Sequence, residues 1–186
     1  GGNTWQKIPI KDDLLPSCLE GEAGYAASGT GIVYQSRDIW IATGGGKKAR
    51  IFHSPDDGYS WNVYDTPVVS GEGGKGIFSM AITYDLHTVL VGGSYIDSTN
   101  TFGNCAISED ARSNWQLIDK NQPKGYRSCV AAHPIKQLMI AVGRTGSDYS
   151  FDNGKTWQYF NKEAYYACGF SNNYLYAVGR SGKIGK

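Results

Sequence analysis

The octapeptide Ser54-Pro-Asp-Asp-Gly-Tyr-Ser-Trp61 has a pattern that returns along the chain. A second full copy is Ser150-Phe-Asp-Asn-Gly-Lys-Thr-Trp157, and both copies fit the frame S-x-D-x-G-x-S/T-W. A third copy, Ser108-Glu-Asp-Ala-Arg-Ser-Asn-Trp115, keeps the serine, aspartate and tryptophan but lacks the glycine and the hydroxyl. The first residues, Gly1-Gly-Asn-Thr-Trp5, match the end of the same frame. Two full and two degraded copies in phase indicate a repeat protein.

Each octapeptide predicts a tight connection between two strands. Its aspartate can accept hydrogen bonds from backbone amides just ahead of it, and its glycine can adopt a positive φ. The aspartates do not have the spacing of a calcium loop, so we predict turn residues rather than metal ligands. The structural residues predicted in this way are Ser54, Asp56, Gly58, Trp61, Ser108, Asp110, Trp115, Ser150, Asp152, Gly154 and Trp157.

Between the octapeptides the same order of short apolar strands recurs. The first strands are predicted over 24–29, 76–82, 126–132 and 165–170. The second strands, each ending in glycine, are predicted over 39–44, 88–93, 138–143 and 175–179. A third strand runs into each octapeptide and a fourth leaves it. Four short strands in about 40–50 residues are typical of β-propeller blades, so we predict an all-β propeller with four-stranded antiparallel blades and almost no helix.

The blade boundaries predict one propeller domain over 1–186. The predicted blades are 20–66, 76–118, 125–160, and a split or incomplete blade formed by 1–10 with 164–186. Two explanations are compatible with the split blade. Either the two ends pair and complete a small four-bladed ring, or the chain is part of a larger ring. Because the sequence starts in the middle of an octapeptide, the second explanation is favoured.

The octapeptides resemble the Asp-box, or bacterial neuraminidase repeat, which occurs in sialidases and sortilin-type ectodomains. Longer runs resemble the C-terminal half of the photosystem II stability/assembly factor-like propellers. These runs are 20–30, 40–46, 76–81, 125–131 and 177–184. The resemblance implies a single ring about twice as long, with the missing part N-terminal, and an extracytoplasmic location. It implies no defined activity, because functional sites are grafted onto folds.

Composition and motifs exclude several classes of function. A net charge of +1, from 18 basic and 17 acidic residues, argues against a nucleic-acid binder. No apolar stretch approaches the ~18 residues needed to span a membrane. The four cysteines lack zinc-site spacing, and Cys105, Cys129 and Cys168 lie in apolar runs typical of small buried side chains. The run 44–48 lacks the phosphate-loop frame. No metal and no cofactor is therefore predicted.

Three residues are candidates for ligand binding at the mouth of a central channel. Tyr126 and Arg127 lie on a predicted first strand, and Glu22 lies on a loop leading to another. A solvated loop charge is the alternative for Glu22. No catalytic set is complete, since the arginine-bearing start motif of sialidases is absent from the sequence. We therefore predict a non-catalytic scaffold that binds a protein or a glycan; the alternative is a glycoside hydrolase of the sialidase type that uses these three residues.

Overall fold

The structure is a computed structural model that describes residues 2–6, 8 and 15–186. Within these ranges the chain forms strands that pair in chain order as four antiparallel sheets. The first sheet contains β1 (Ile32–Gln35), β2 (Asp38–Ala42), β3 (Arg50–Ser54) and β4 (Asn62–Asp65). The second contains β5 (Lys75–Ile82), β6 (Thr88–Ser94), β7 (Cys105–Ser108) and β8 (Gln116–Leu117). An all-β protein is thereby confirmed.

The third and fourth sheets repeat this arrangement. The third contains β9 (Cys129–Ala132), β10 (Met139–Gly143), β11 (Gly146–Ser150) and β12 (Gln158–Asn161). The fourth contains β13 (Ala167–Ser171), β14 (Tyr174–Val178) and β15 (Ile184–Gly185). A 3₁₀ turn, Arg180–Gly182, precedes β15. In the described part of the chain no helix is long and apolar enough to cross a membrane.

The sheets stack face to face in chain order, with an apolar layer between each pair. Strand β6 illustrates the cause, because side chains alternate between the two faces of a strand. Leu90 packs towards the first sheet, against Trp40 and Ile51, whereas Val89 and Val91 pack towards the third. The middle strands are therefore apolar on both faces. The outer faces of the first and fourth sheets carry exposed rings, Tyr34 and Tyr174 among them.

The first strands of successive sheets lie side by side. Strand β5 contacts both β1 and β9, and β9 contacts β13. Hydrogen bonds join these strands: the Val130 amide donates to Ser79 Oγ at 2.9 Å, and Ser128 Oγ donates to the Tyr166 carbonyl at 2.8 Å. The four sheets consequently converge on their first strands.

One strand prediction is wrong, and another prediction falls partly outside the described residues. Residues 24–29 form no strand; Gly29, with φ of +79°, turns the chain, and the first strand of that sheet is β1. In the N-terminal part of the predicted split blade, 1–10, residues 1, 7, 9 and 10 lie outside the described residues, while 2–6 and 8 form no strand. The C-terminal unit has the three strands that its sequence predicts.

The two full octapeptides fold into the same hydrogen-bonded turn. In the second, the Asp152 carboxylate accepts from the Thr156 amide at 2.8 Å and from Thr156 Oγ1 at 2.6 Å. The Ser150 hydroxyl accepts from the Gly154 amide at 3.0 Å, and the Trp157 indole N–H donates to the Gly154 carbonyl at 3.0 Å. The bonds of the first octapeptide are equivalent, with Asp56 in the central place.

In the third octapeptide a neighbouring serine supplies the hydroxyl that is missing at the aligned position. Ser113 stands one position before the expected place, yet its Oγ donates to Asp110 Oδ2 at 2.6 Å. The amides of Arg112 and Ser113 donate to Asp110 Oδ1 at 2.9 and 2.8 Å. Ala111, at the position of Asp57 and Asn153 in the full copies, has a positive φ of +56°, and Asn114 has one of +54°. The turn is thus kept with a register shifted by one residue.

Replacing Asp152 by alanine is expected to lower the free energy of unfolding by about 1–3 kcal/mol, because the amides that it binds lose their acceptor. Burial opposes ionisation of Asp152, but hydrogen bonds from Thr156 and Ser150 prevail and lower its pKa, so the bonds are charge-assisted at neutral pH. Thermal and urea denaturation measure the change. Asp119→Ala, at an exposed loop position, is the control and should alter stability by less than about 0.5 kcal/mol. Equal melting curves for the two variants would contradict this role.

Candidate functional site

A cavity of about 330 Å³ opens beside the beginning of β5. We call it the aromatic pocket, because four of its lining side chains carry rings. The lining residues are Tyr25, Ala26, Ala27, Gly74, Phe78, Tyr95 and Tyr126. Its volume is at the lower end of the range for small-molecule sites, which are typically about 300–1,000 Å³. The pocket therefore fits one or two ring-sized groups rather than a long ligand.

The rings hold one another in place. Tyr25 and Phe78 stack with their centroids 4.1 Å apart, and Tyr126 meets Phe78 edge to face at 4.7 Å. Tyr95 meets Tyr126 edge to face at 5.7 Å. Such pairs are each worth about 0.5–1.5 kcal/mol beyond their buried area. The pocket wall is consequently preorganised, which lowers the cost of ordering it when a ligand binds.

The phenol hydroxyls of Tyr25 and Tyr126 are polar groups in this otherwise apolar wall. Tyr25 donates its hydroxyl to the Lys75 carbonyl at 3.1 Å, and burial raises its pKa. The Tyr126 ring is only 3% exposed, and burial raises the pKa of its phenol as well. Among the described residues, none forms a hydrogen bond with the Tyr126 hydroxyl. Both phenols are protonated at neutral pH, so Tyr126 has a donor available for a ligand.

Arg144 supplies a positive charge beside the pocket, against the lining residue Tyr95. The Arg144 guanidinium lies 5.1 Å from the centroid of the Tyr95 ring, in cation–π geometry. Its Nη1 donates to the Tyr95 carbonyl at 3.4 Å. Arg144 comes directly after the glycine that ends β10, so the third sheet positions this charge against a loop of the second.

Glu22 does not lie in the aromatic pocket. Its Oε1 accepts from Arg50 Nε at 2.9 Å and Thr43 Oγ1 at 2.6 Å, and its Oε2 accepts from the Leu19 amide at 2.7 Å. Its side chain is fully buried. Burial opposes ionisation, but the bonds from Arg50 and Thr43 prevail and lower the pKa of Glu22. The sequence left two interpretations of Glu22, a ligand partner and a solvated charge. Neither fits, because protein donors already occupy its carboxylate.

Arg127 is likewise committed to protein partners. Its side chain is fully buried and its Nε donates to Asp148 Oδ2 at 2.6 Å. The other guanidinium nitrogens donate to the Tyr126 carbonyl, Thr145 Oγ1 and the Lys124 carbonyl, at 2.8 to 3.0 Å. Arg127 therefore fixes the segment just before β9, where Tyr126 lies. The strand that the sequence predicts over 126–132 begins only at Cys129, so it contains neither residue. Of the three predicted site residues, Tyr126 alone lines the aromatic pocket.

Sequence reasoning missed Tyr25 and Phe78 as partners of Tyr126. Tyr25 and Tyr126 each directly follow a glycine, Gly24 and Gly125, so this repeated pair was an available signal for Tyr25. Tyr95 follows β6, and the tyrosine-rich loops of the sequence, which include it, suit recognition without placing it beside Tyr126. It reaches the pocket because the loop after β6 folds back beside Gly74, whose carbonyl accepts from the Tyr95 amide at 2.7 Å.

Four small side chains, one from each unit, meet where the first strands converge. We call Thr30, Ser79, Cys129 and Cys168 the axial cluster. Thr30 Oγ1 lies 2.6 Å from Ser79 Oγ and 3.7 Å from Cys129 Sγ. Cys129 Sγ lies 3.9 Å from Cys168 Sγ. Polar side chains at equivalent places thus form one connected hydrogen-bonded group.

Other features of the described residues add no reaction centre. No three histidine, cysteine, aspartate or glutamate side chains cluster closely enough within 2–6, 8 and 15–186 to hold a metal ion. No protein-family model matches the sequence, and a search of curated proteins finds no match.

Proposed function

We propose that the four sheets are blades of an Asp-box β-propeller. Three observations support this arrangement: each sheet is a meander in chain order, neighbouring first strands are in contact, and the axial cluster takes one side chain from every unit. The octapeptide turns support it too, because their aspartate, hydroxyl and tryptophan form the same bonds in both full copies. In such an arrangement the axial cluster lies on the central axis.

Within that fold we propose a non-catalytic scaffold that binds a protein or a glycan at the aromatic pocket. The observation that carries this proposal is the Tyr126 hydroxyl, a protonated donor without a described protein partner in a wall of four rings. Tyrosine suits recognition because it offers a large rigid surface together with one polar group. Arg144 adds a charge that can select an anionic or carbonyl-bearing group.

Hydrolysis is the less favoured function. A sialidase-type mechanism needs a tyrosine nucleophile activated by a carboxylate, and burial moves the pKa of Tyr126 in the opposite direction. The carboxylate predicted for that role, Glu22, is bound to Arg50 and Thr43. We therefore propose binding without turnover.

The test is a screen of glycan and peptide arrays, followed by calorimetry of each ligand found. Tyr95→Ala is expected to weaken binding by about 10–100-fold, because an aromatic anchor is lost from the pocket. Tyr126→Phe should weaken it by about 2–10-fold, since it removes one hydrogen bond and keeps the ring. Tyr84→Ala, at a fully exposed tyrosine outside the pocket, should leave affinity unchanged. Ligands equally insensitive to all three changes, or turnover of any fluorogenic glycoside, would overturn the proposal.

A further inference from the structure

Two of the four cysteines lie side by side in the axial cluster. Cys129 is on β9 and Cys168 is on β13, in neighbouring sheets, and both are free thiols. Their sulfur atoms are 3.9 Å apart, and the Cys168 amide donates to Cys129 Sγ at 3.3 Å. A disulfide has a sulfur–sulfur bond of about 2.05 Å, so the two atoms need to approach by only about 2 Å.

The two thiols are chemically unequal. The hydrogen bond from Cys168 is the largest influence on Cys129 and, with burial opposing, the bonds from the Cys168 amide and Thr30 help to lower its pKa to about 6. The same contact with Cys129, together with burial, raises the pKa of Cys168. One sulfur is thus available as a thiolate while its neighbour keeps a proton. That difference favours Cys129 as the sulfur that attacks first.

The other two cysteines lack this arrangement. Cys105 is fully buried in the apolar layer between the second and third sheets, and burial raises its pKa. Cys18 is exposed on the segment before the first sheet. Cys105 and Cys129 are both fully buried. Cys105 lies in an apolar layer and behaves as an inert side chain, whereas Cys129 has hydrogen-bonding partners and lies beside Cys168, which is partly exposed.

We propose that Cys129 and Cys168 are a redox-active dithiol, which a hydroperoxide oxidises to a disulfide between β9 and β13. The Cys129 thiolate attacks one oxygen of hydrogen peroxide; a sulfur–oxygen bond forms, the oxygen–oxygen bond breaks, and hydroxide leaves. The Cys168 sulfur then attacks the Cys129 sulfur, the sulfur–sulfur bond forms, and the sulfur–oxygen bond breaks. The departing hydroxide takes the Cys168 proton and leaves as water. The two sulfurs lose two electrons in total, and the peroxide gains them.

The bond would join the third and fourth sheets at their first strands. It closes a loop between residues 39 positions apart, which restricts the unfolded chain and stabilises the folded one. For a chain of this size we expect the oxidised form to melt about 5–10 °C above the reduced form.

The experiment uses the full chain with Cys18→Ser, because an exposed thiol could cross-link two molecules. The reduced protein and the protein treated with hydrogen peroxide are denatured, alkylated with N-ethylmaleimide and weighed intact. Reduced protein should take up three maleimides, one for each remaining cysteine. Oxidised protein should lose the mass of two hydrogen atoms and take up one maleimide, on Cys105. Non-reducing peptide mapping should then recover the Cys129 and Cys168 peptides joined.

Further variants assign the bond. In the same background, Cys129→Ser and Cys168→Ser should each abolish the mass loss and the rise in Tm, whereas Cys105→Ser should retain both. The comparison of oxidised with reduced protein is made on the Cys18→Ser chain alone, in which an exposed side chain is changed, so it does not depend on whether the other cysteine variants fold. Three maleimides after oxidation, a disulfide that includes Cys105, or sulfinic acid on Cys129 without a disulfide would each overturn the proposal.

Discussion

Replacing Asp148 by alanine is expected to lower the free energy of unfolding by about 3–5 kcal/mol, because it leaves a buried arginine without its counter-ion. Both side chains of the pair are fully buried. Burial raises the pKa of Asp148 and lowers the pKa of Arg127, and the contact between the two groups opposes both shifts. Urea denaturation of the wild type and the variant measures the loss.

Two comparisons separate this effect from a general sensitivity to charge. Asp65→Ala breaks a pair with Lys48 in which both side chains are about half exposed, and should cost less than about 1 kcal/mol. The double change Arg127→Met with Asp148→Leu removes both buried charges and should recover most of the loss. This double variant should also bind ligands of the aromatic pocket, since Arg127 makes its hydrogen bonds to protein groups. Asp148→Ala as mild as Asp65→Ala would contradict the assignment.

The strands inside each sheet could be predicted closely from the sequence. The second strand of the second unit is predicted over 88–93 and observed as Thr88–Ser94, because apolar runs bounded by glycine and by octapeptides leave little freedom. The first strand of the first unit could not. The predicted run over 24–29 contains two glycines and two alanines, and Gly29 turns the chain there. The observed β1, Ile32–Gln35, has the β-branched and aromatic residues that strands favour, so following the order of the other units misplaced this strand.

The charged candidates could not be assigned because their partners are distant in sequence. Arg50 lies 28 positions from Glu22, and Asp148 lies 21 positions from Arg127. In each pair, two strands lie between the partners along the chain. The cysteine contact is different. Cys129 and Cys168 both stand inside predicted first strands, so superposing the repeats would have placed them at equivalent positions of neighbouring units. When each apolar run is considered separately, Cys129 and Cys168 are predicted as small buried side chains, and their contact is not predicted.

Replacing Trp157 by alanine is expected to lower the free energy of unfolding by about 3–5 kcal/mol, the usual cost of removing a large buried ring. Trp157 is 5% exposed and packs between the second and third sheets, against residues that include Val89 and Val130. Its indole N–H also holds the turn through the Gly154 carbonyl. The loss therefore combines an apolar cavity with an unpaired carbonyl, and thermal denaturation with urea titration measures it.

Two variants test whether the position, rather than the residue type, is responsible. Trp157→Phe keeps most of the ring contact and loses the indole hydrogen bond, so it should cost less than the alanine variant. Trp5 matches the same frame in sequence but is 92% exposed, so Trp5→Ala should change stability by less than about 0.5 kcal/mol. Equal losses at Trp157 and Trp5 would mean that the tryptophan of the octapeptide does not stabilise the fold by packing between sheets. A large loss at Trp157 alone would mean that a match to the frame stabilises the chain only where a neighbouring sheet covers the ring.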